Sequence, residues 1–285
     1  MTKGLLRSSM AAIAALALAG PSIADPVDDT LIVNDEIEMV TRTAAPDHLD
    51  GALPEIISGW HFRTDETRDM ERDDFDNPAS LFIEQAVESW NTVEGSEGNS
   101  CASCHDSPDS LRGFWASQPK INEETGELWA AEQYINNCRE NRMGAEAWGW
   151  DKQPMKNMTA LIASVSRGLP MSVQIDGDYA EAWEKGREIY YTRYGQLELA
   201  CASCHEDNYG NYIRADHLSQ GHINGFPTYR LKQSNLVSRH NRFKGCIRDT
   251  RGEPYAVGSE ELIALELYLA SRGNGLSVEG PAVRN

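Results

Sequence analysis

Apolar residues recur at helical spacing in four stretches of this chain. Leu81, Phe82, Ala86 and Trp90 follow Asn77 and Pro78, a helix-start signal, and Gly95, Gly98 and Asn99 break the pattern. Ala182, Trp183, Ile189, Tyr190 and Tyr194 follow Asp178 in the same way. Two further helices are predicted over 155–167, ending at Gly168, and over 259–272, ending at Gly273, the latter with Leu262, Leu265, Leu267 and Leu269 inside it. Their ends read alike, Ala-Ser-Val-Ser-Arg-Gly against Leu-Ala-Ser-Arg-Gly. The order is helix, break, loops, helix, then the same again: an internal repeat.

The chain before the repeat has two parts. Lys3 and Arg7 precede an apolar run over 10–19, then Gly20, Pro21 and small residues up to Ala24. That is the pattern of a cleavable secretion signal ending at Ala24, too short to span a bilayer. An exported, periplasmic protein with no membrane insertion is expected. Residues 25–69 are rich in acids and contain Pro46 and Pro54. Ile56, Ile57 and Trp60 argue that this segment wraps something; a disordered arm is the alternative.

Each break leads into the same pentapeptide, Cys-Ala-Ser-Cys-His, at 101–105 and at 201–205. C-x-x-C-H is a c-type haem attachment signature: two thiols form thioethers and the histidine reaches the iron. A zinc or disulfide framework is the alternative. Two copies behind an export signal favour two covalent haems, held by Cys101, Cys104, Cys201 and Cys204, with His105 and His205 as iron ligands. Helix, C-x-x-C-H, loops, helix is the plan of a small class I cytochrome c domain. The predicted fold is mainly α, two tandem class I cytochrome c-like domains in pseudo-repeat (70–172 and 173–285) after the N-terminal extension.

Composition narrows the partners. The sequence has 26 basic and 44 acidic residues, a net charge of −18, and residues 1–24 carry two of the bases and no acid. A chain this acidic is not built for nucleic acid or an anionic membrane.

The second axial positions are informative by omission. No methionine follows His205, so the second domain is left with His217, His222, His240, Lys232, Lys244, Cys246 or an open site. The first domain has no histidine after His105 and offers Cys138, Met143, Met155 and Met158. Four of the six cysteines belong to the motifs, which leaves Cys138 and Cys246, one per domain. Either both are thiolate ligands to haem iron or they pair as a disulfide. A thiolate lowers the reduction potential, which argues against routine electron carriage.

Around Cys246 the sign of charge reverses. Arg230, Lys232, Arg239, Arg242, Lys244, Arg248 and Arg251 lie within 230–251, opposed by Asp249 alone. Such a setting favours the thiolate and makes a seat for an oxyanion; a basic face that docks another protein is the other reading. Cys138 has only Arg139 and Arg142 close by, with Glu140 between them. Its setting is structural or electron-transferring.

The signal, the two Cys-Ala-Ser-Cys-His sites, one extra cysteine per domain and the segment Arg242-Phe243-Lys244-Gly245-Cys246 resemble the SoxA family across the mature chain. SoxA is the dihaem cytochrome subunit of the SoxAX complex of sulfur-oxidising bacteria. The resemblance implies oxidative coupling of thiosulfate to a cysteine of the carrier SoxYZ. The product is a cysteine S-thiosulfonate, and two electrons pass to SoxX, a small monohaem partner, and on to a cytochrome c acceptor. It implies His105 and Cys138 on haem one, His205 and Cys246 on haem two, and Arg242 in the active site. In the family the cysteine matching Cys246 is found as a persulfide. Arg239 and Lys244 are further candidates for substrate binding. The rivals are a dihaem thiosulfate dehydrogenase forming tetrathionate, a non-catalytic dihaem electron-transfer subunit, and a dihaem peroxidase.

Overall fold

A computed structural model describes residues 30–285; the signal over 1–24 lies outside the described residues. The α-helices among them are α1 (Asp65–Asp69), α2 (Ser80–Asn91), α3 (Ala102–His105), α4 (Ala131–Cys138), α5 (Gln153–Ser164), α6 (Ala180–Tyr191), α7 (Cys201–His205), α8 (Arg239–Asp249) and α9 (Glu260–Arg272). Strands are short, so the fold is mainly α. The largest sheet has three strands, with Thr228–Arg230 between antiparallel Asn235–Val237 and parallel Ala282–Arg284.

The four helices predicted from periodicity are α2, α5, α6 and α9, and they pair as α2 with α5 and α6 with α9. Capping sets their starts. Asn77 Oδ1 accepts from the Ala79 amide ahead of α2, and Ser259 caps α9 by accepting from the Leu262 amide. Gly168, at φ +80°, turns the chain out of the segment after α5. Gly186 sits in mid-helix for a steric reason: a Cβ there would lie 2.0 Å from the Ala264 carbonyl oxygen. Glycine to alanine inside a helix ordinarily gains about 0.5–1 kcal/mol. Gly186→Ala is instead expected to destabilise by about 1–3 kcal/mol, because α6 must move off α9. Thermal unfolding of the variant checks this.

α4 and α8, the helices that carry the two spare cysteines, occupy stretches expected to be loops. In α8 only Phe243 and Ile247 bury apolar side chains, and Gly245 interrupts the run. Its stability comes from Ser238, whose Oγ accepts from the Asn241 amide, and from buried polar contacts at its first turn.

Those contacts join the two halves of the chain. Arg239 and His240 both bind the buried Glu266 of α9, at 2.6 and 3.0 Å. Arg239 lies over the ring of Trp115, and Trp150 stacks on His240. Burial and the nearby Glu266 carboxylate push Glu132 of α4 up to about 7. α8 is therefore rooted between the halves.

Residues 30–69 are folded onto the rest of the chain, so the disordered-arm alternative does not describe them. Two hairpins pair Ile32–Val33 with Ile37–Glu38 and Arg42–Ala44 with Glu55–Ile57. Trp60 is fully buried with Leu31, Val33 and Met39, under the guanidinium of Arg68. Leu49, Leu53 and Ile56 pack on Leu276. The Ile57 amide donates to Gln220 at 2.7 Å, and Ser58 bonds Glu279. The tail beyond α9 then returns to the first half, where the amides of Gly168 and Met171 donate to Val278 and Leu276.

Candidate active site

The same local design brings each spare cysteine to its own Cys-Ala-Ser-Cys-His motif. A positive-φ glycine before each motif presses against the chain leaving the cysteine-bearing helix. A Cβ on Gly95 would meet the Met143 carbonyl oxygen at 2.2 Å, and one on Gly195 the Thr250 carbonyl oxygen at 2.3 Å. No side chain fits there, so each motif is held against the end of its helix. Cys138 is close enough to Cys101 to raise its thiol and is itself raised by Cys104, and Cys246 raises both Cys201 and Cys204. All six cysteines are unpaired. The disulfide alternative for Cys138 and Cys246 is not what the fold forms.

Around the second motif lies a cavity of about 320 Å³. Cys201, Cys204, His205, Arg242 and Cys246 line it, with Ile223, Phe226, Phe243, Leu265 and Leu269 among its apolar walls. The ring of His205 is aimed by its neighbour: Nδ1 donates to the Ser219 carbonyl at 2.7 Å, which leaves Nε2 free to bind a metal. Gly221, at φ +79°, makes this possible, since a Cβ there would lie 2.8 Å from the imidazole. Two thiols, an aimed imidazole and apolar walls fit a covalently attached haem. At the first motif Trp90 packs at 5.8 Å on the ring of His105, and Cys101 and Cys104 flank Cys138, a matching donor set.

The two spare cysteines differ electrostatically. Burial raises the Cys138 thiol, and Arg142 offsets it only in part. Cys246 is also penalised by burial, yet Arg242 and His205 outweigh that penalty and bring the thiol down to about 7. Arg242 stands one helical turn before Cys246, and it makes no ion pair to a carboxylate among the described residues. By contrast Arg139, beside Cys138, is spent on Glu94 at 2.8 Å and stacks on Trp148.

Not every candidate reaches the cavity. Arg239 is committed to Glu266 and Trp115 at the base of α8. Lys244 is two positions from both Arg242 and Cys246, so it projects from another side of the helix and does not line the cavity. His217, His222 and Lys232 do line the cavity: His222 bonds Gln220 through Nε2 and leaves Nδ1 without a hydrogen-bond partner, and His217 bonds the Gly210 carbonyl. Met155 and Met158 are core residues of α5. Sequence reasoning missed Ser219 and Gly221, which aim His205, and Arg63, which reaches the cavity from the extension. It also missed Asp216, a second carboxylate facing the basic segment, 3.9 Å from Arg230 and 3.8 Å from Lys232.

A family model described as the SoxA/TsdA cytochrome c domain matches residues 85–171. An L-cysteine S-thiosulfotransferase subunit SoxA from Paracoccus pantotrophus is 55% identical, with 100% of this chain and 98% of that protein covered. The chain belongs to the SoxA family. The SoxA subunit from Rhodovulum sulfidophilum is 58% identical over 94% of each chain. A crystal structure of SoxXA from P. pantotrophus superposes with a TM-score of 0.89 at 56% identity, covering 92% of this chain and 100% of that one. The chain therefore shares both sequence and fold with these relatives, and its cytochrome c domain implies covalent c-type haem. No helix among the described residues is long and apolar enough to cross a membrane.

Proposed function

We propose that this chain is the dihaem subunit of a periplasmic SoxAX complex, exported by a signal cleaved after Ala24, that couples thiosulfate to the cysteine of SoxYZ. The observation that carries the reading is Arg242 beside Cys246, an unpaired guanidinium next to a thiol already poised to ionise. The two halves, 70–172 and 173–285, are copies of one cytochrome c plan after an extension over 25–69. Equivalent positions one hundred residues apart support this: Ala86 and Gly186, Trp90 and Tyr190, Gly95 and Gly195, His105 and His205. Cys101 and Cys104 would hold haem one, with His105 and Cys138 as the residues able to bind its iron. Cys201 and Cys204 would hold haem two, with His205 and Cys246 in the same roles.

The chemistry must join two anions. Arg242 neutralises and orients the sulfonate end of thiosulfate, and its fork suits two oxygens at once. The Cys246 thiolate bonds the outer sulfur with loss of two electrons: Cys-S⁻ plus S₂O₃²⁻ gives Cys-S–S–SO₃⁻ and 2e⁻. The haem at the second motif, when bound, would supply the route by which those electrons leave toward SoxX and a small cytochrome c. The carrier thiolate then attacks the outer sulfur, the bond to Cys246 breaks, and the carrier leaves as its S-thiosulfonate with Cys246 restored as thiolate. Apolar walls keep water from the polysulfide bond.

Purified SoxAX with thiosulfate, an acceptor and SoxYZ tests the reading through haem reduction and carrier mass. Carrier-dependent turnover with a thiosulfonate adduct is expected. Carrier-independent tetrathionate would assign a thiosulfate dehydrogenase instead, and no turnover would leave an electron carrier. Haem one lies outside this chemistry, so Cys138→Met is expected to raise its potential and change its spectrum, because a thioether donates less charge than a thiolate, and to leave KM for thiosulfate unchanged. Redox titration alongside steady-state kinetics checks both halves of that statement.

A further inference from the structure

The N-terminal segment puts a guanidinium into the second-motif cavity that makes no direct ion pair among the described residues, with Asp216 and Glu71 acting on it only from a distance. Arg63 lines the cavity although it belongs to neither cytochrome half. Its Nη2 donates to the His217 carbonyl, a neutral group. Its Nε is buried with no hydrogen-bond partner. Burial, with Arg284 and Arg230 near, pushes the guanidinium down to about 10. Both neighbours have partners of their own. Arg284 is held by Glu71 and Glu279, and Arg230 by the Asn285 carbonyl. Asp216 faces Arg230 and Lys232. Arg63 makes no ion pair among the described residues.

Docking of the segment does not need this charge. Trp60, Ile57 with Gln220 and Ser58 with Glu279 already fasten it. Holding a half-buried guanidinium without a paired carboxylate is unfavourable and lowers its pKa. Its retention at the cavity wall therefore points to an anion inside.

We propose that Arg63 is a carboxylate-binding residue of the second-motif cavity, and that its ligand is a propionate of the haem fastened to Cys201 and Cys204. The inference rests on the reading that this motif carries haem. A porphyrin combines an apolar ring, which the cavity walls suit, with two carboxylates, which only cations at the wall can satisfy. A guanidinium fork matches a carboxylate edge at two points. Thiosulfate, the other anion in the reaction, is served by Arg242 beside Cys246. Arg63 is thus the contact through which the extension takes part in holding the cofactor.

The test uses the holo complex with Arg63→Gln and Arg63→Lys. Mass spectrometry of the peptide bearing 201–205 first establishes attachment. If no haem is found there, the second-motif reading falls and the proposal falls with it. With haem present, Arg63→Gln is expected to lower the potential of haem two, because a positive charge that disfavours the oxidised state is removed. It should also add a pH dependence to that potential, as the released carboxylate titrates between the two oxidation states. The propionate bending band in the resonance Raman spectrum should shift for haem two alone. Arg63→Lys keeps the charge but not the fork, so it should leave the potential close to the parent's and still move the Raman band; it also serves as the reporter if the glutamine variant does not fold. An unchanged potential, pH profile and Raman band in a folded Arg63→Gln variant would overturn the proposal. The same unchanged spectra with a raised KM for thiosulfate would reassign Arg63 to the substrate.

Discussion

Changing Cys246 to serine is expected to abolish carrier-dependent thiosulfate coupling, with a loss on the order of 10⁴-fold or more; removing an enzymic nucleophile costs up to about 10⁶-fold. Serine keeps the size of the side chain and the packing of Phe243 and Ile247 beneath it, so α8 should remain in place. Cys201 and Cys204 are untouched, so haem content should not fall. The proposed role for Cys246 demands a sulfur that can both attack and leave, and a hydroxyl does neither at neutral pH. The variant should therefore be haem-loaded, assembled and inactive. Haem count by mass, the spectrum of haem two and turnover with SoxYZ read these three properties separately. Substantial residual turnover would show that the carrier thiol reacts without a covalent stage on Cys246.

Arg242→Ala should be the second most damaging change, lowering kcat/KM for thiosulfate by about 10²–10³-fold, the usual cost of removing a preorganised charge from a water-excluded site. Two effects act in the same direction. The sulfonate loses its counter-charge, and Cys246 loses the cation that most strongly opposes its burial penalty, so its thiol rises. Arg242→Lys separates them. A lysine restores positive charge near Cys246 but cannot present two parallel donors. It should recover part of the rate while KM stays high. Thiosulfate dependence of initial rates for the three proteins decides the matter, and equal kinetics for arginine and alanine would remove Arg242 from the mechanism. Because Arg242 has no carboxylate partner among the described residues, its loss leaves no orphaned acid behind, and stability should change little.

Much of this was legible in the chain before folding. Periodicity located α2, α5, α6 and α9, because each buries a continuous apolar face against its partner. The paired motifs and the one-per-half arithmetic of cysteines pointed to the two places where the structure brings three cysteines together. α8 escaped because most of its side chains are polar and its stability comes from long-range ionic contacts, Arg239 and His240 with Glu266, that no local pattern encodes. For the same reason Arg239 looked like part of the basic patch: spacing shows that arginines are close in sequence, not which carboxylate claims them. Arg63 was invisible because it acts on a motif well over a hundred positions downstream, through a segment with no signature of its own. Gly221 carried a signal only in retrospect, since a glycine required by an imidazole reads like any loop glycine.

The cavity at the second motif is walled by parts of the chain that are synthesised at opposite ends. Gly59 and Arg63 come from the early segment, Arg284 from the tail, and the tail strand Ala282–Arg284 is seated only when Thr228–Arg230 is in place beside it. Covalent attachment needs Cys201 and Cys204 within reach of a large rigid molecule. Closing the early segment and the tail around the cavity narrows that reach. Maturation should therefore run in a fixed order, attachment first and closure second, with the finished walls acting as a clasp. A chain that folds before it is loaded should then take up haem more slowly than one loaded first.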